Sequence, residues 1–349
     1  MITLKRPSPK YETAFPRSFF CFWIFVISLS AARYAQAADV DPILWTARWN
    51  HDGSQFAIGG VHALWVFDSN TFQKKSLLPA PETCDADNKD IPYMAVTRMD
   101  WHPERDVLVV STQGQNKNGI YDVTSVERIP LTILAEAYGR GISWSPDGNH
   151  VAFTSDDKLI ISKSDGNQLH EIPRYMDAKG LTGVAWRPSG DRIVTIGARI
   201  TLHDEHGVPI MQKMHRPEAQ DGFQLLLSVA WHPSGEFFVV GDYGTEVDDP
   251  VLQFWSADLE LLKSITLEGD AEIRNVRWNR DGTRLATASS KLQIRNREGA
   301  LEFEAKSPDL LWGVDWHPDG DSILTSSMDS RVTLWSATAQ LKKEIDLSH

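Results

Sequence analysis

A tryptophan followed by a tight polar turn recurs seven times along the 349-residue chain. Successive tryptophans stand 38 to 52 residues apart, and four of the turns read Pro-Asp-Gly or Pro-Ser-Gly. In such a turn proline fixes φ and glycine accepts the left-handed conformation, so each copy marks a sharp reversal of the chain. The seven copies are Trp49–Gly53, Trp101–Arg105, Trp144–Gly148, Trp186–Gly190, Trp231–Gly235, Trp278–Gly282 and Trp316–Gly320.

Short strands surround each turn. Apolar residues stand two and five positions before the tryptophan, as Val184 and Leu181 do before Trp186. A second strand, a third that ends on an aromatic or long residue, and an outer strand such as 261–265 follow. A period near 40 to 50 residues with this order of strands and turns predicts one four-stranded blade per copy. We therefore expect an all-β chain: a seven-bladed β-propeller of four-stranded antiparallel blades, preceded by a cleavable signal peptide.

The turn at Trp144–Gly148 and the third-strand endings Trp255-Ser256 and Trp335-Ser336 resemble the WD-repeat family, in particular exported, bacterial-type members. The resemblance covers residues 44–348, and some turns also resemble the periplasmic propeller of the Tol system. It implies a scaffold that binds proteins without catalysis. No repeat has the Gly-His pair that precedes the inner strand in this family. That departure argues against the family's buried Asp-His-Ser-Trp hydrogen-bond network.

Residues 1–37 are predicted to be a secretory signal peptide. A basic start precedes an uncharged, mostly apolar stretch at 18–32, and Ala35 and Ala37 supply the small side chains that a signal peptidase needs. The stretch is shorter than the roughly 20 residues that a membrane-spanning helix requires. An uncleaved membrane anchor is the alternative. The expected mature domain is residues 38–349, periplasmic or secreted, with no membrane insertion after cleavage.

The net charge of the chain is −12, and removal of the basic leader leaves −16 on the mature part. An acidic surface repels nucleic acid and anionic membranes, so neither is an expected partner. Cys84 is the single cysteine outside the leader, which excludes an intramolecular disulfide. Packing alone must hold the fold, and a chain of this length buries enough surface for that.

Closure of the ring is also predictable. Seven inner strands are complete between the mature N-terminus and Trp316, and residues 341–346 supply the outer strand of the last blade. No further segment remains to complete a shared blade. We therefore expect blade 1 to pack directly against blade 7.

The longest irregular segments belong to two kinds of connection that emerge on the same face of a propeller. Residues 79–93 and 211–224 link blades, and residues 113–119 and 242–250 lie inside blades. Binding residues concentrate on loops that a rigid scaffold holds, so this elaborated face is the predicted binding side.

Aromatic and arginine side chains stand near the start of several inner strands, four residues before the repeat tryptophan or three in blade 2. Those of blades 1 and 7 would be neighbours in a closed ring, and such residues around a concave channel mouth are typical of an interaction hot spot. The alternative is that the tryptophans pack the seams and the arginines pair with loop acids. With two loop tyrosines, the candidate set for a protein or peptide partner is Trp45, Tyr93, Arg98, Arg140, Tyr243, Arg274 and Trp312.

A metal-dependent propeller hydrolase, similar to lactonases, is the alternative function, with acidic ligands at the channel mouth. The acidic loop at 85–90 does not match a calcium loop, because Lys89 occupies a ligand position. The histidines that follow repeat tryptophans belong to the turns, and no pair has metal-ligand spacing. We therefore predict no catalytic residue, no metal site and no cofactor. The carboxylates that the alternative would use are Asp85, Asp87, Glu246 and Asp248.

Overall fold

The computed structural model describes residues 43–78, 94–114, 117–131, 139–155, 157–172, 180–216, 225–244 and 249–348. Within these ranges the chain forms 28 β-strands and no α-helix. The strands fall into seven sheets of four consecutive strands each, which are the blades of the propeller.

The strands are numbered here in chain order. Blades 1 to 3 contain β1 (Leu44–Trp49), β2 (Gln55–Gly60), β3 (Ala63–Asp68), β4 (Lys74–Ser76); β5 (Met94–Trp101), β6 (Val107–Gly114), β7 (Gly119–Asp122), β8 (Arg128–Pro130); and β9 (Gly139–Trp144), β10 (His150–Ser155), β11 (Lys158–Lys163), β12 (Gln168–Ile172). Blades 4 and 5 contain β13 (Gly183–Trp186), β14 (Arg192–Ile196), β15 (Ile200–Asp204), β16 (Pro209–Lys213); and β17 (Leu226–Trp231), β18 (Phe237–Asp242), β19 (Val251–Ser256), β20 (Leu261–Thr266). Blades 6 and 7 contain β21 (Asn275–Trp278), β22 (Arg284–Ala288), β23 (Lys291–Asn296), β24 (Leu301–Lys306); and β25 (Leu311–Trp316), β26 (Ser322–Ser327), β27 (Arg331–Ser336), β28 (Leu341–Asp346).

Every blade is an antiparallel meander whose first strand lies innermost and ends on the repeat tryptophan. In six of the seven turns that follow, glycine has a φ between 68° and 81°, the left-handed conformation that the Pro-Asp-Gly pattern predicts. The predicted seven-bladed, four-stranded, all-β architecture is confirmed.

The hydrophobic cores lie between neighbouring blades rather than inside one sheet. One cluster joins Trp49, Phe56 and Phe67 of blade 1 to Leu324 and Val332 of blade 7. Each blade keeps its own four strands, so no strand is exchanged where the ring closes. The prediction that blade 1 packs directly on blade 7 is confirmed. The outer strands β20 and β28 are mostly exposed, whereas β17 is buried along its whole length.

The repeat tryptophans fill these seams and also connect them by hydrogen bonds. The indole N–H of Trp101, Trp231 and Trp316 donates to a main-chain carbonyl of the preceding blade, at 3.1 to 3.3 Å. In each case the accepting residue directly precedes the tryptophan of that neighbouring blade. The repeated tryptophan is therefore a contact between blades.

The histidines after repeat tryptophans lie in the blade turns, as the sequence predicts, and they also link one blade to the next. His317 Nε2 lies 3.2 Å from the carbonyl oxygen of Gly53, and its ring meets Trp49 edge-on at 4.6 Å. His232 contacts the turn of blade 6 in the same way, 2.9 Å from the Gly282 carbonyl oxygen. These contacts fix the turn of each following blade.

Candidate functional site

Five of the seven inner strands carry a β-bulge at the position four residues before the repeat tryptophan. In β1 the register with β2 shifts between Leu44 and Thr46, and in β25 it shifts between Leu311 and Gly313. The residues inside these two bulges are Trp45 and Trp312. A bulge turns the extra side chain away from the regular pleat, which explains why both tryptophans leave the blade core.

Trp45 and Trp312 lie against each other where the ring closes, as the sequence predicts. Their ring centroids are 5.0 Å apart with an angle of 36° between the planes. Both side chains are partly exposed. Both indole nitrogens, however, are buried and have no hydrogen-bond partner within the described ranges. The pair therefore presents an aromatic surface, while its two indole N–H groups are shielded from solvent.

Arg274 extends this surface from blade 6. Its guanidinium lies 4.1 Å from the centroid of the Trp312 ring and 5.9 Å from that of Tyr243. Glu272 pairs with the same guanidinium, with an Nε–Oε1 distance of 3.0 Å. Tyr243 is 46% exposed at the end of β18. We call Trp45, Trp312, Arg274 and Tyr243 the channel mouth.

Arg98 lies deeper than the sequence suggests. Its guanidinium crosses the channel and donates to the carbonyl oxygens of Leu227 and Arg274, both at 3.0 Å, and to that of Thr97. Burial, followed by the charges of nearby arginines, lowers the pKa of Arg98 to about 9, so it stays cationic at neutral pH. With three of its N–H donors bound to carbonyl oxygens, Arg98 acts as a strut between blades 2, 5 and 6.

The remaining predicted positions are distributed as follows. Arg140 is half-buried at the start of β9, and it is close enough to Arg98 to contribute to its lowered pKa. Tyr93 lies outside the described residues. The same holds for the four carboxylates considered as metal ligands, Asp85, Asp87, Glu246 and Asp248. The described ranges contain no cluster of His, Cys, Asp and Glu able to hold a metal ion.

Four charged residues lie at the other end of the channel, and the sequence analysis did not predict them as a group. Arg277, Asp315, Arg48 and Asp100 directly precede the tryptophans of blades 6, 7, 1 and 2, and their charges alternate. The signal was visible in the sequence as four charged side chains at one repeat position. We call these four residues the charged ring.

The two aspartates of the charged ring connect blades through the backbone. Asp315 Oδ2 accepts the N–H of Trp49 at 2.8 Å, and Asp100 Oδ2 accepts the N–H of Trp144 at 2.9 Å. Burial raises the pKa of each carboxyl to about 6, even though Arg48 favours the ionised form of both. Both carboxylates are therefore largely ionised at neutral pH, despite the cost of burial.

The raised pKa values predict how stability depends on pH. Because the folded state binds these protons more tightly than the unfolded state, ionising each carboxyl weakens the fold as pH rises from about 4 to about 6. Asp315→Asn keeps an acceptor for Trp49 and removes the charge. We expect this variant to be more stable than the native protein by about 1–2 kcal/mol at neutral pH, with the difference vanishing near pH 4. Urea unfolding at several pH values measures it, and a variant that is less stable throughout would contradict the assignment.

Blade 5 brings a histidine and an aspartate together, as in the network that the missing Gly-His pair argued against. His215 Nε2 lies 3.5 Å from Asp242 Oδ2, and both side chains are almost completely buried. The Trp255 indole donates to Gln253 Oε1, and the Gln253 amide donates to the His215 carbonyl. The ring nitrogens of His215 make no hydrogen bond among the described residues, so blade 5 places a histidine beside the aspartate without completing the network.

The fold and the sequence both point to one class of protein. The chain is a seven-bladed β-propeller, and residues 301–336 match the family model for the WD domain, G-beta repeat. The matched segment spans the outer strand of blade 6 and the first three strands of blade 7. Within the described ranges, no helix is long and apolar enough to span a membrane.

Particular relatives are distant and longer. The chain is 22% identical over 355 residues to one of the subunits of eukaryotic translation initiation factor 3 from Culex quinquefasciatus, covering 74% of this chain and 50% of that protein. It is 28% identical over 193 residues to the intraflagellar transport protein 80 homolog of Mus musculus, covering 54% and 22%. The chain thus spans half the length of the first relative, and the alignment with the second covers about a fifth of that protein.

The fold is also similar to a chain in the crystal structure of the mitotic checkpoint complex. The TM-score is 0.69 over 96% of this chain and 98% of the other, at 16% sequence identity. At that level of identity the similarity supports the propeller architecture alone.

Proposed function

We propose that the protein is a non-catalytic scaffold, exported from the cytoplasm, that binds an extended segment of a partner protein across the channel mouth. The observation that carries the proposal is the contact between the rings of Trp45 and Trp312 with Arg274 against Trp312. Tryptophan and arginine in a concave, partly desolvated site are the residues that most often dominate binding energy.

The chemistry of the mouth favours a peptide segment. The partly exposed rings of Trp45 and Trp312 form an aromatic surface, and an extended chain presents every second side chain to the same face. An apolar side chain of the partner would cover the aromatic surface. Arg274, already near Glu272, would pair with an acidic side chain of the partner.

The names of relatives agree with a role in assemblies. One aligned protein belongs to a multi-subunit translation initiation factor, and another, from Drosophila melanogaster, is named actin-interacting protein 1. The acidic mature surface would steer basic regions of a partner towards the scaffold.

The proposed location is the periplasm or the extracellular space. It rests on the sequence of residues 1–37, with its basic start, apolar stretch and small residues at 35 and 37.

We expect the Trp45→Ala/Trp312→Ala variant of residues 38–349 to lose a partner that the native chain captures from an extracytoplasmic extract. Loss of a central aromatic anchor weakens binding by at least about 2 kcal/mol, which is roughly thirtyfold. Affinity for the captured protein, measured by calorimetry on purified components, gives the number. Trp65→Ala is the matched control, because Trp65 is a half-buried tryptophan of β3 that contacts Lys74 away from the mouth.

A companion measurement separates binding from folding. Both tryptophans are partly exposed, and their ring contact adds about 0.5–1.5 kcal/mol beyond their burial, so the double variant should melt only slightly below the native protein. A large fall in melting temperature would assign both tryptophans to the core. Equal capture by the native chain and the double variant would exclude the channel mouth as the binding face.

A further inference from the structure

The channel contains a cavity at the end away from the channel mouth. Its volume is about 360 Å³, within the range of small ligand sites, and its walls come from blades 1, 2, 6 and 7. The four members of the charged ring lie on these walls, and the turns after the repeat tryptophans form its rim. Arg98 crosses the channel between this cavity and the mouth.

Three guanidiniums line the cavity with donors that the protein itself does not use fully. Arg277 makes one long ion pair, 3.8 Å from Nε to Asp315 Oδ1, and no side-chain hydrogen bond within the described ranges. Arg280, at the exposed rim, makes neither an ion pair nor a hydrogen bond there. Arg48 is 4% exposed and binds two carbonyl oxygens through Nη1, while its Nε is buried without an acceptor.

The carboxylates in the same wall have other contacts. Asp315 and Asp100 each use one oxygen to accept a backbone N–H of the next blade, so they hold the ring together. Each aspartate keeps a second oxygen in the wall, and three arginines outnumber the two carboxylates, so the unused N–H donors of Arg277, Arg280 and Arg48 leave the cavity with an excess of positive charge. A planar oxyanion fits such donors, because the arginine fork matches the two oxygens of a carboxylate.

We propose that this cavity binds a carboxylate group through Arg277, Arg280 and Arg48. The carboxylate belongs either to a small free acid or to the C-terminus of a peptide. The site lies at the opposite end of the channel from the mouth, so it does not depend on the peptide-binding role proposed above.

The neighbouring titratable groups give binding a defined pH dependence. Asp100 and Asp315 oppose an anion when ionised, and each gains its proton near pH 6. Three histidines also border the cavity. Carboxylate affinity should therefore rise as pH falls. The charged and titratable groups that face the cavity are Arg48, His51, Asp100, His102, Arg277, Arg280, Asp315 and His317.

Calorimetry on residues 38–349 tests the proposal with two probes. One is oxalate; the other is an N-acetylated alanine peptide with a free C-terminal carboxylate, whose amidated form is the control. Binding of oxalate identifies a free acid as the ligand, and binding of the peptide but not its amide identifies a chain terminus. Absence of binding by both probes at millimolar concentration would overturn the proposal.

Two variants with opposite expected effects separate recognition from folding. Arg277→Gln should weaken binding about tenfold, whereas Arg297→Gln, also in blade 6 but outside the cavity, should leave it unchanged. Asp315→Asn should strengthen peptide binding several-fold at neutral pH and reduce its pH dependence. The C-terminal carboxyl of the peptide remains ionised above about pH 5, so the protein is the source of any change. Equal weakening by both arginine variants, or weaker binding by Asp315→Asn, would overturn the proposal.

Discussion

Replacing Trp316 with alanine is expected to destabilise the protein by about 3–5 kcal/mol, a large part of the total stability of a domain. Trp316 is 5% exposed and packs with Leu292 and Ile294 of blade 6 and Trp335 of its own blade. Its indole also donates to the Arg277 carbonyl across the seam. Alanine would leave a cavity in the seam between blades 6 and 7. Urea unfolding of the purified variant measures the loss.

Trp316→Phe separates the two contributions of this residue. Phenylalanine keeps most of the buried volume and removes the N–H donor, so we expect a loss of about 1 kcal/mol. If the alanine and phenylalanine variants lost equally little stability, the seam would have repacked and the tryptophan would not be its main contact.

Gly53→Ala is expected to destabilise the seam between blades 7 and 1 by about 2–3 kcal/mol. Gly53 has a φ of 77°, and a Cβ there would lie 2.2 Å from His317 Nε2. The imidazole has little room to withdraw, because its ring lies against Trp49 and moving it would separate Nε2 from the Gly53 carbonyl. Thermal unfolding of the purified variant measures the loss.

Gly320→Ala is the matched control for that change. Gly320 occupies the same turn position in blade 7 with a φ of 81°, but no atom lies within 4 Å of its added Cβ. It should therefore cost about 1 kcal/mol, which is the conformational strain alone. The double variant Gly53→Ala/His317→Ala removes the clashing imidazole. It should therefore recover part of the stability that Gly53→Ala loses beyond the loss of Gly320→Ala. Equal losses of stability for Gly53→Ala and Gly320→Ala would show that the His317 side chain can move away from the added Cβ at no cost.

The seven-fold repeat predicts the architecture because one residue type serves the same contact in every blade. The repeat tryptophan ends each inner strand and packs into a seam, so its spacing counts the blades. Equivalent positions in neighbouring blades face each other, which is why Trp45 and Trp312 could be paired from position alone.

The sequence could not show how far each side chain reaches. Arg98 stands one residue from the bulge position of blade 2, and its long side chain crosses the channel to blades 5 and 6. Nothing in a local pattern predicts carbonyl acceptors that lie 129 and 176 residues away. The pairing of His215 with Asp242 was missed for a related reason, since the contact depends on the path of the chain between blades.

The charged ring is a different case, because its pattern was present in the sequence. Arg48, Asp100, Arg277 and Asp315 share one repeat position, but their alternation becomes apparent only when blades 6, 7, 1 and 2 are placed side by side. Linear order separates blade 7 from blade 1, so the alternation is hidden until the ring is closed.

Because no strand is exchanged, the seam between blades 7 and 1 differs from the others in the length of chain that it closes. The hydrogen bond from Trp49 to Asp315 spans 266 residues, whereas the equivalent bond from Trp144 to Asp100 spans 44. Loop-closure entropy grows with the logarithm of that separation, which adds about 1.6 kcal/mol at this seam. The hydrogen bonds of Arg48 and His317 and the ring contact between Trp49 and His317 cross this seam and offset the added entropy cost. The other contacts between blades join segments that are close in sequence. We therefore expect consecutive blades to fold together and the ring to close last.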